Sequence, residues 1–150
     1  MKRIVLACAI ALSVSPTLAQ VNLSAAETAL KPFVKAPHFE KAGDGKTAKV
    51  RWELKKIYGG AEAIGNDRNN LRSVGLHCSL KKPELDDCRK IATRLFAAYI
   101  PPVLIDPNSW FDAQLKDSPP DGSAHITSLP EFNIEFSNVF GELFLKVVRK

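Results

Sequence analysis

The stretch Cys78-Ser-Leu-Lys-Lys-Pro-Glu-Leu-Asp-Asp-Cys88 places one cysteine on each side of a chain reversal. Before the reversal, Val74, Leu76 and Cys78 alternate with glycine and histidine, which is the period-2 pattern of a strand with one buried face. The pattern therefore predicts a strand that ends at the reversal, with the side chain of Cys78 directed toward the core.

The segment after the reversal predicts a helix over residues 84–99. Asp86 and Asp87 place negative charge in the first turn, where the helix dipole favours it. One apolar stripe recurs at three- and four-residue intervals, formed by Leu85, Cys88, Ile91, Ala92, Leu95, Phe96 and Tyr99. We expect the helix to end near Ile100, because the following proline pair, Pro101-Pro102, denies the preceding residue helical geometry.

These two placements bring the cysteines together. Cys78 belongs to the buried strand face, and Cys88 lies on the apolar stripe one turn into the helix, so we predict a disulfide at the strand–helix contact. Closing such a short loop restricts the unfolded chain and contributes about 3 kcal/mol. That is a large share of the stability of a small domain.

The N-terminus has the features of a bacterial Sec signal peptide spanning residues 1–19. A short basic segment precedes the apolar run Ile4 to Val14, and small residues lead up to a cleavage site between Ala19 and Gln20. A membrane anchor is the alternative, but the run is well short of the ~20 residues that a span needs. Cleavage would remove Cys8, leaving an even pair of cysteines for an oxidising compartment, which predicts a periplasmic or secreted protein.

Length and charge limit the classes of function. The chain has 150 residues, and we expect residues 20–150 to form a single domain. Without Lys2 and Arg3 the chain keeps 19 basic residues against 16 acidic ones, a net charge of +3 instead of +5. This mild excess, with no clustered basic run, is unlike a nucleic-acid-binding protein. We also expect no stable membrane insertion after the signal is cleaved.

Further strands are indicated by alternation of apolar and polar residues. Residues 48–55 alternate strictly, and residues 132–137 also alternate. Leu143, Leu145 and Val147 alternate in the last strand, which also has Phe144 and Val148 on its second face, and 138–141 would be the turn of a C-terminal hairpin. Residues 124–129 are an additional candidate, which Pro130 would restrict to an edge or an end.

Two further helices and one connector complete the prediction. A capping-box pattern at Ser24 favours a short N-terminal helix, and the segment 110–116 favours another. We interpret the polar, glycine-rich segment 59–70 as a solvated connector. The predicted fold is α+β, an antiparallel sheet of about four to five strands with one main helix packed on one face and one disulfide.

The sequence contains no motif that predicts catalytic, cofactor-binding or metal-binding residues. His38, His77 and His125 are far apart in sequence, unlike the close pairs of a zinc site. The glycines of segment 59–70 match neither a dinucleotide-binding fingerprint nor a phosphate-binding loop. The acidic pair Asp86-Asp87 is explained by its place in the first helical turn.

We therefore predict a binding protein without a cofactor, whose partner is another protein. The candidate contact residues are two aromatic residues and part of the glycine-rich segment, namely Tyr58, Asp67, Arg68, Asn69 and Phe140. Trp110 and Phe111 would join them if exposed. The most concrete form is an inhibitor or immunity-type protein that acts on an envelope-targeting enzyme.

Two alternatives predict different structural features. A small secreted enzyme or effector would assemble its site in the fold, with His77 or His125 in a concave pocket and within hydrogen-bonding reach of a carboxylate. An envelope assembly or structural factor would self-associate or expose a large apolar patch.

Overall fold

A computed structural model describes residues 23–41, 48–67, 70–100, 102–119 and 121–150. The predicted signal peptide lies outside these residues. Within them the chain forms three helices and seven strands. The helices are α1 (Leu23–Leu30), α2 (Leu85–Ala97) and α3 (Pro107–Asp117). The strands are β1 (His38–Lys41), β2 (Ala48–Glu53), β3 (Gly59–Asp67), β4 (Asn70–Ser79), β5 (His125–Ser128), β6 (Phe132–Val139) and β7 (Glu142–Arg149).

All seven strands belong to one sheet, in the order β1-β2-β3-β4-β7-β6-β5. Every neighbouring pair is antiparallel, so the α+β class and the antiparallel sheet are confirmed. β5 lies at an edge of the sheet. The predicted number of four to five strands is wrong, because β1 and β3 were not expected.

The segment 59–70 was interpreted as a solvated connector, and this prediction is wrong. Its first part is β3, which pairs with β2 on one side and with β4 on the other. Its glycines allow the close approach of these neighbours. A Cβ on Gly60 would lie 2.8 Å from the carbonyl oxygen of Trp52. The residues that resemble a loop in the sequence are therefore those that let the strand fit between its partners.

One face of the sheet is covered by the helices and forms the core. Alternate residues of β2, β3, β4, β6 and β7 point into this core. They include Val50, Trp52, Val74, Leu76, Ile134, Phe136, Leu143 and Leu145. The expectation of one main helix is wrong, because α1, α2 and α3 all supply buried residues to the same cluster. The ring of Trp110 in α3 stacks on Phe96 in α2, with centroids 4.6 Å apart. Helix α2 is the longest and lies against both other helices.

The predicted disulfide is confirmed. Cys78 at the end of β4 and Cys88 in the first turns of α2 are bonded, with their Cα atoms 5.7 Å apart. Both residues are fully buried. The bond therefore joins the centre of the sheet directly to the helix that covers it.

Helix α3 begins with a side-chain cap that the sequence encodes locally. The carboxylate of Asp106 accepts a hydrogen bond of 2.7 Å from the backbone amide of Ser109. This bond to the ionised carboxylate lowers the pKa of Asp106 below its usual value. The helix starts at Pro107, three residues before the predicted segment 110–116.

Candidate binding site on the open face of the sheet

The face of the sheet opposite the helices carries a broad groove of about 860 Å³. Residues from the strands β1 to β4 and β7, together with the segment after α1, line it. The second face of β7 is uncovered at Phe144, whose side chain is exposed on this open face. The groove is therefore formed by side chains that alternate with the core residues.

Two glycines form the floor of the groove. Gly60 in β3 pairs with His77, and Gly75 in β4 pairs with Glu62 on one side and Lys146 on the other. Each glycine belongs to a cross-strand row that otherwise carries large side chains, so the missing side chains leave a depression in the sheet surface.

Three rings lie together at one end of the groove, and we call them the aromatic cluster: Tyr58, His77 and Phe144. His77 and Phe144 are directly opposite each other on β4 and β7, and their rings stack with centroids 4.6 Å apart. The Tyr58 ring is perpendicular to the imidazole, with the ring centroids 5.6 Å apart. Tyr58 is 66% exposed and Phe144 is 44% exposed, so the cluster presents apolar ring surface to solvent.

Polar contacts hold the aromatic cluster in place. The Nε2 atom of His77 is hydrogen-bonded to Oε2 of Glu142, which lies two residues before Phe144 on the same strand. The backbone amide of Tyr58 donates to the carboxylate of Glu84 at 3.2 Å. Glu84 is the residue that precedes α2, so the loop carrying Tyr58 is tied to the helix that holds the disulfide.

Charged side chains form the other wall of the groove. Arg51 contacts Glu40 at 3.3 Å, and Lys35 contacts Glu53 at 2.8 Å. The hydrogen bond from Lys35 is the main cause of the lowered pKa of Glu53. Within the described residues these carboxylates all have a cationic partner, whereas Lys146, which also lines the groove, forms no ion pair.

The structure separates the contact residues that the sequence predicts. Tyr58 and Phe140 are exposed at the end of the sheet that carries the aromatic cluster. Asp67 ends β3 at the opposite end of the sheet. The side chain of Asp67 and the residues Arg68 and Asn69 lie outside the described part of the chain. Their roles stay predictions.

The structure also locates the other aromatic residues and the histidines considered from the sequence. Trp110 and Phe111, proposed as anchors if exposed, are buried in the core. His38, His77 and His125 lie on three different strands. Among the described residues, no group of three or more His, Cys, Asp or Glu side chains is arranged to hold a metal ion.

His77, Glu142 and Phe144 were not singled out together from the sequence. His77 and Glu142 are 65 residues apart in the chain, and they meet because β4 pairs with β7. The alternation of β7 places Glu142 and Phe144 on one face, but nothing local indicates which strand lies beside it. The sequence carries no signal from which this contact could be read.

The chain was compared with protein families, curated proteins and solved structures. No protein-family model matches the chain, and searches of curated proteins and of solved structures found no significant match. In the described part of the chain, no helix has the length and apolar character needed to cross a membrane.

Proposed function

We propose that this protein is an exported binding module whose partner is another protein and whose contact surface is the open face of the sheet. The observation that carries the proposal is the exposed aromatic cluster at the end of the groove. Tyrosine and phenylalanine rings supply large contact area at low cost in side-chain entropy, and such residues dominate binding energy at protein interfaces.

The way the aromatic cluster is held supports this function. The His77 and Phe144 rings are stacked, the imidazole is bonded to Glu142, and the backbone of Tyr58 is bonded to Glu84, so the cluster loses little freedom when a partner covers it. The glycine floor beside them provides room for a protruding segment of the partner. The predicted leader and the disulfide favour a compartment outside the cytoplasm. An inhibitor or immunity-type protein that acts on an envelope-targeting enzyme fits these features.

The proposal is tested by capture of the partner with matched variants. The tagged protein is incubated with native envelope extract, and the bound proteins are identified by mass spectrometry. We expect a stoichiometric partner that the Tyr58→Ala/Phe144→Ala double variant loses. The control is Leu104→Ser, because Leu104 is also 67% exposed but lies in the loop between α2 and α3. Equal capture by the double variant and the wild type would contradict the proposal.

One observation favours the enzyme alternative. His77 lines the groove and is hydrogen-bonded to a carboxylate, which is the arrangement that this alternative predicts. In such an enzyme Glu142 would orient the imidazole. Turnover of a cell-wall or phosphoester substrate by the wild type, abolished in His77→Gln, would support catalysis in place of binding. A concentration-dependent oligomer would instead support the assembly factor.

A further inference from the structure

Phe140 is the most exposed large apolar side chain in the described part of the molecule, with 94% of its surface accessible. It sits at the tip of the β6–β7 hairpin, between Val139 and Glu142, which pair with each other. At this position the ring contributes nothing to the core. Its presence is therefore not explained by folding.

The backbone at Phe140 is also unfavourable for its side chain. Its φ angle is +53°, in the left-handed region, and Gly141 follows with φ +83°. A two-residue hairpin turn with two positive φ angles favours asparagine or glycine at its first position. A bulky aromatic residue in that conformation is an outlier. Exposure and backbone strain thus both oppose phenylalanine at this site.

The tip is nevertheless held firmly. The carbonyl of Gly141 accepts a hydrogen bond of 2.8 Å from the amide of Leu80, and the Gly141 amide donates to the side chain of Asn138 at 3.1 Å. The side chain of Lys81 packs against Gly141. The ring of Phe140 therefore projects from a braced turn and needs little ordering to bind.

We propose that Phe140 is an anchor that inserts into an apolar pocket of the partner protein, with carboxylates at the rim of that pocket. A convex, isolated ring fits a concave site. The negative rim follows from charge complementarity, because Lys81 and Lys82 are exposed beside the tip and neither forms an ion pair with any described residue. This inference rests on the proposed function and names the chemistry of its partner.

The test uses the captured partner, purified and titrated with the full chain and its variants by calorimetry. Phe140→Asn removes the ring and supplies a residue that the turn favours. We expect it to weaken binding at least about 30-fold and to raise the unfolding midpoint by about 3 °C. Lys81→Glu/Lys82→Glu should weaken binding and reduce its salt dependence. Leu104→Ser, the matched exposed control, should bind like the wild type.

The contrary results distinguish failure of the Phe140 anchor from failure of the proposed function. If Phe140→Asn binds like the wild type while Tyr58→Ala/Phe144→Ala does not, the anchor is refuted and the proposed function stands. If extract yields no partner that depends on either site, both fail. A lower unfolding midpoint for Phe140→Asn would show that the ring supports the fold, which overturns the inference. Phe140-dependent binding to phosphatidylglycerol vesicles, or Phe140-dependent dimerisation, would overturn it by identifying a different occupant.

Discussion

Gly75 and Gly60 both lie on the floor of the groove, but they differ in what a side chain would meet. A Cβ on Gly75 would contact the Glu62 side chain and the Leu145 carbonyl oxygen at ordinary distances of 3.7 Å. A Cβ on Gly60 would lie too close to the backbone of Trp52. The absence of a side chain at Gly75 is therefore not required by packing, and it leaves the groove open.

This difference gives a prediction for a groove-filling variant. Gly75→Val should change the free energy of unfolding by less than about 1 kcal/mol, because the Cβ is accommodated and valine suits a strand. It should also weaken capture of the partner, because its methyl groups occupy the groove floor. Urea unfolding measures the change in stability, and the capture assay measures the change in partner binding. Gly60→Val is the control for a position where the neighbouring backbone leaves no room for a side chain, and we expect it to be clearly destabilised.

If Gly75→Val binds the partner as tightly as the wild type, the floor of the groove is not part of the contact surface. The aromatic cluster would then have to act without it.

Among the elements, β4 and α2 are joined covalently by the buried Cys78–Cys88 bond. Replacing both cysteines by alanine should lower the free energy of unfolding by about 2–3 kcal/mol, because the unfolded chain loses a short covalent loop. Urea titration measures the loss. A reducing agent should destabilise the wild type by a similar amount and leave the double variant unchanged. Equal stability of the two proteins would mean that packing alone holds α2 on the sheet.

The elements also show what the sequence can and cannot predict. Strands with one apolar and one polar face, such as β2 and β7, follow from simple alternation. The strand β3 does not, because Gly59, Gly60 and Gly65 are conformationally permissive residues that usually mark turns. Its pairing with β2 and β4 overrides that local preference. The short edge strand β1 has too few residues to show a period.

The candidate site was also predictable only in part, because some of its contacts depend on which strands pair. Tyr58 and Phe140 are aromatic residues beside glycines, which favours exposed turns, and both are exposed. The cluster of His77 with Phe144 arises from β4–β7 pairing across the sheet, and no local pattern encodes that register. The disulfide was predictable because strand and helix periodicities each fix the side of one cysteine.

For the whole molecule, the helices cover one face of the sheet and leave the other face open. Of the four exposed aromatic residues in the described part of the chain, Tyr58, Phe140 and Phe144 lie at the same end of the sheet, and Phe39 lies on the edge strand β1. Val103 and Leu104 are exposed in the loop after α2. Ile126 is exposed on the edge strand β5, opposite Glu135, and therefore lies on the open face at the far edge of the sheet. This distribution allows the contact surface to be located without mutation.

Hydroxyl-radical footprinting of the protein with and without its captured partner shows which face of the sheet the partner covers. We predict that labelling of Tyr58, Phe140 and Phe144 falls several-fold in the complex, because the open face is covered, while labelling of Val103 and Leu104 is unchanged. Protection of Val103 or Leu104, with the three aromatic residues labelled as in the free protein, would contradict the claim that the open face of the sheet is the binding surface.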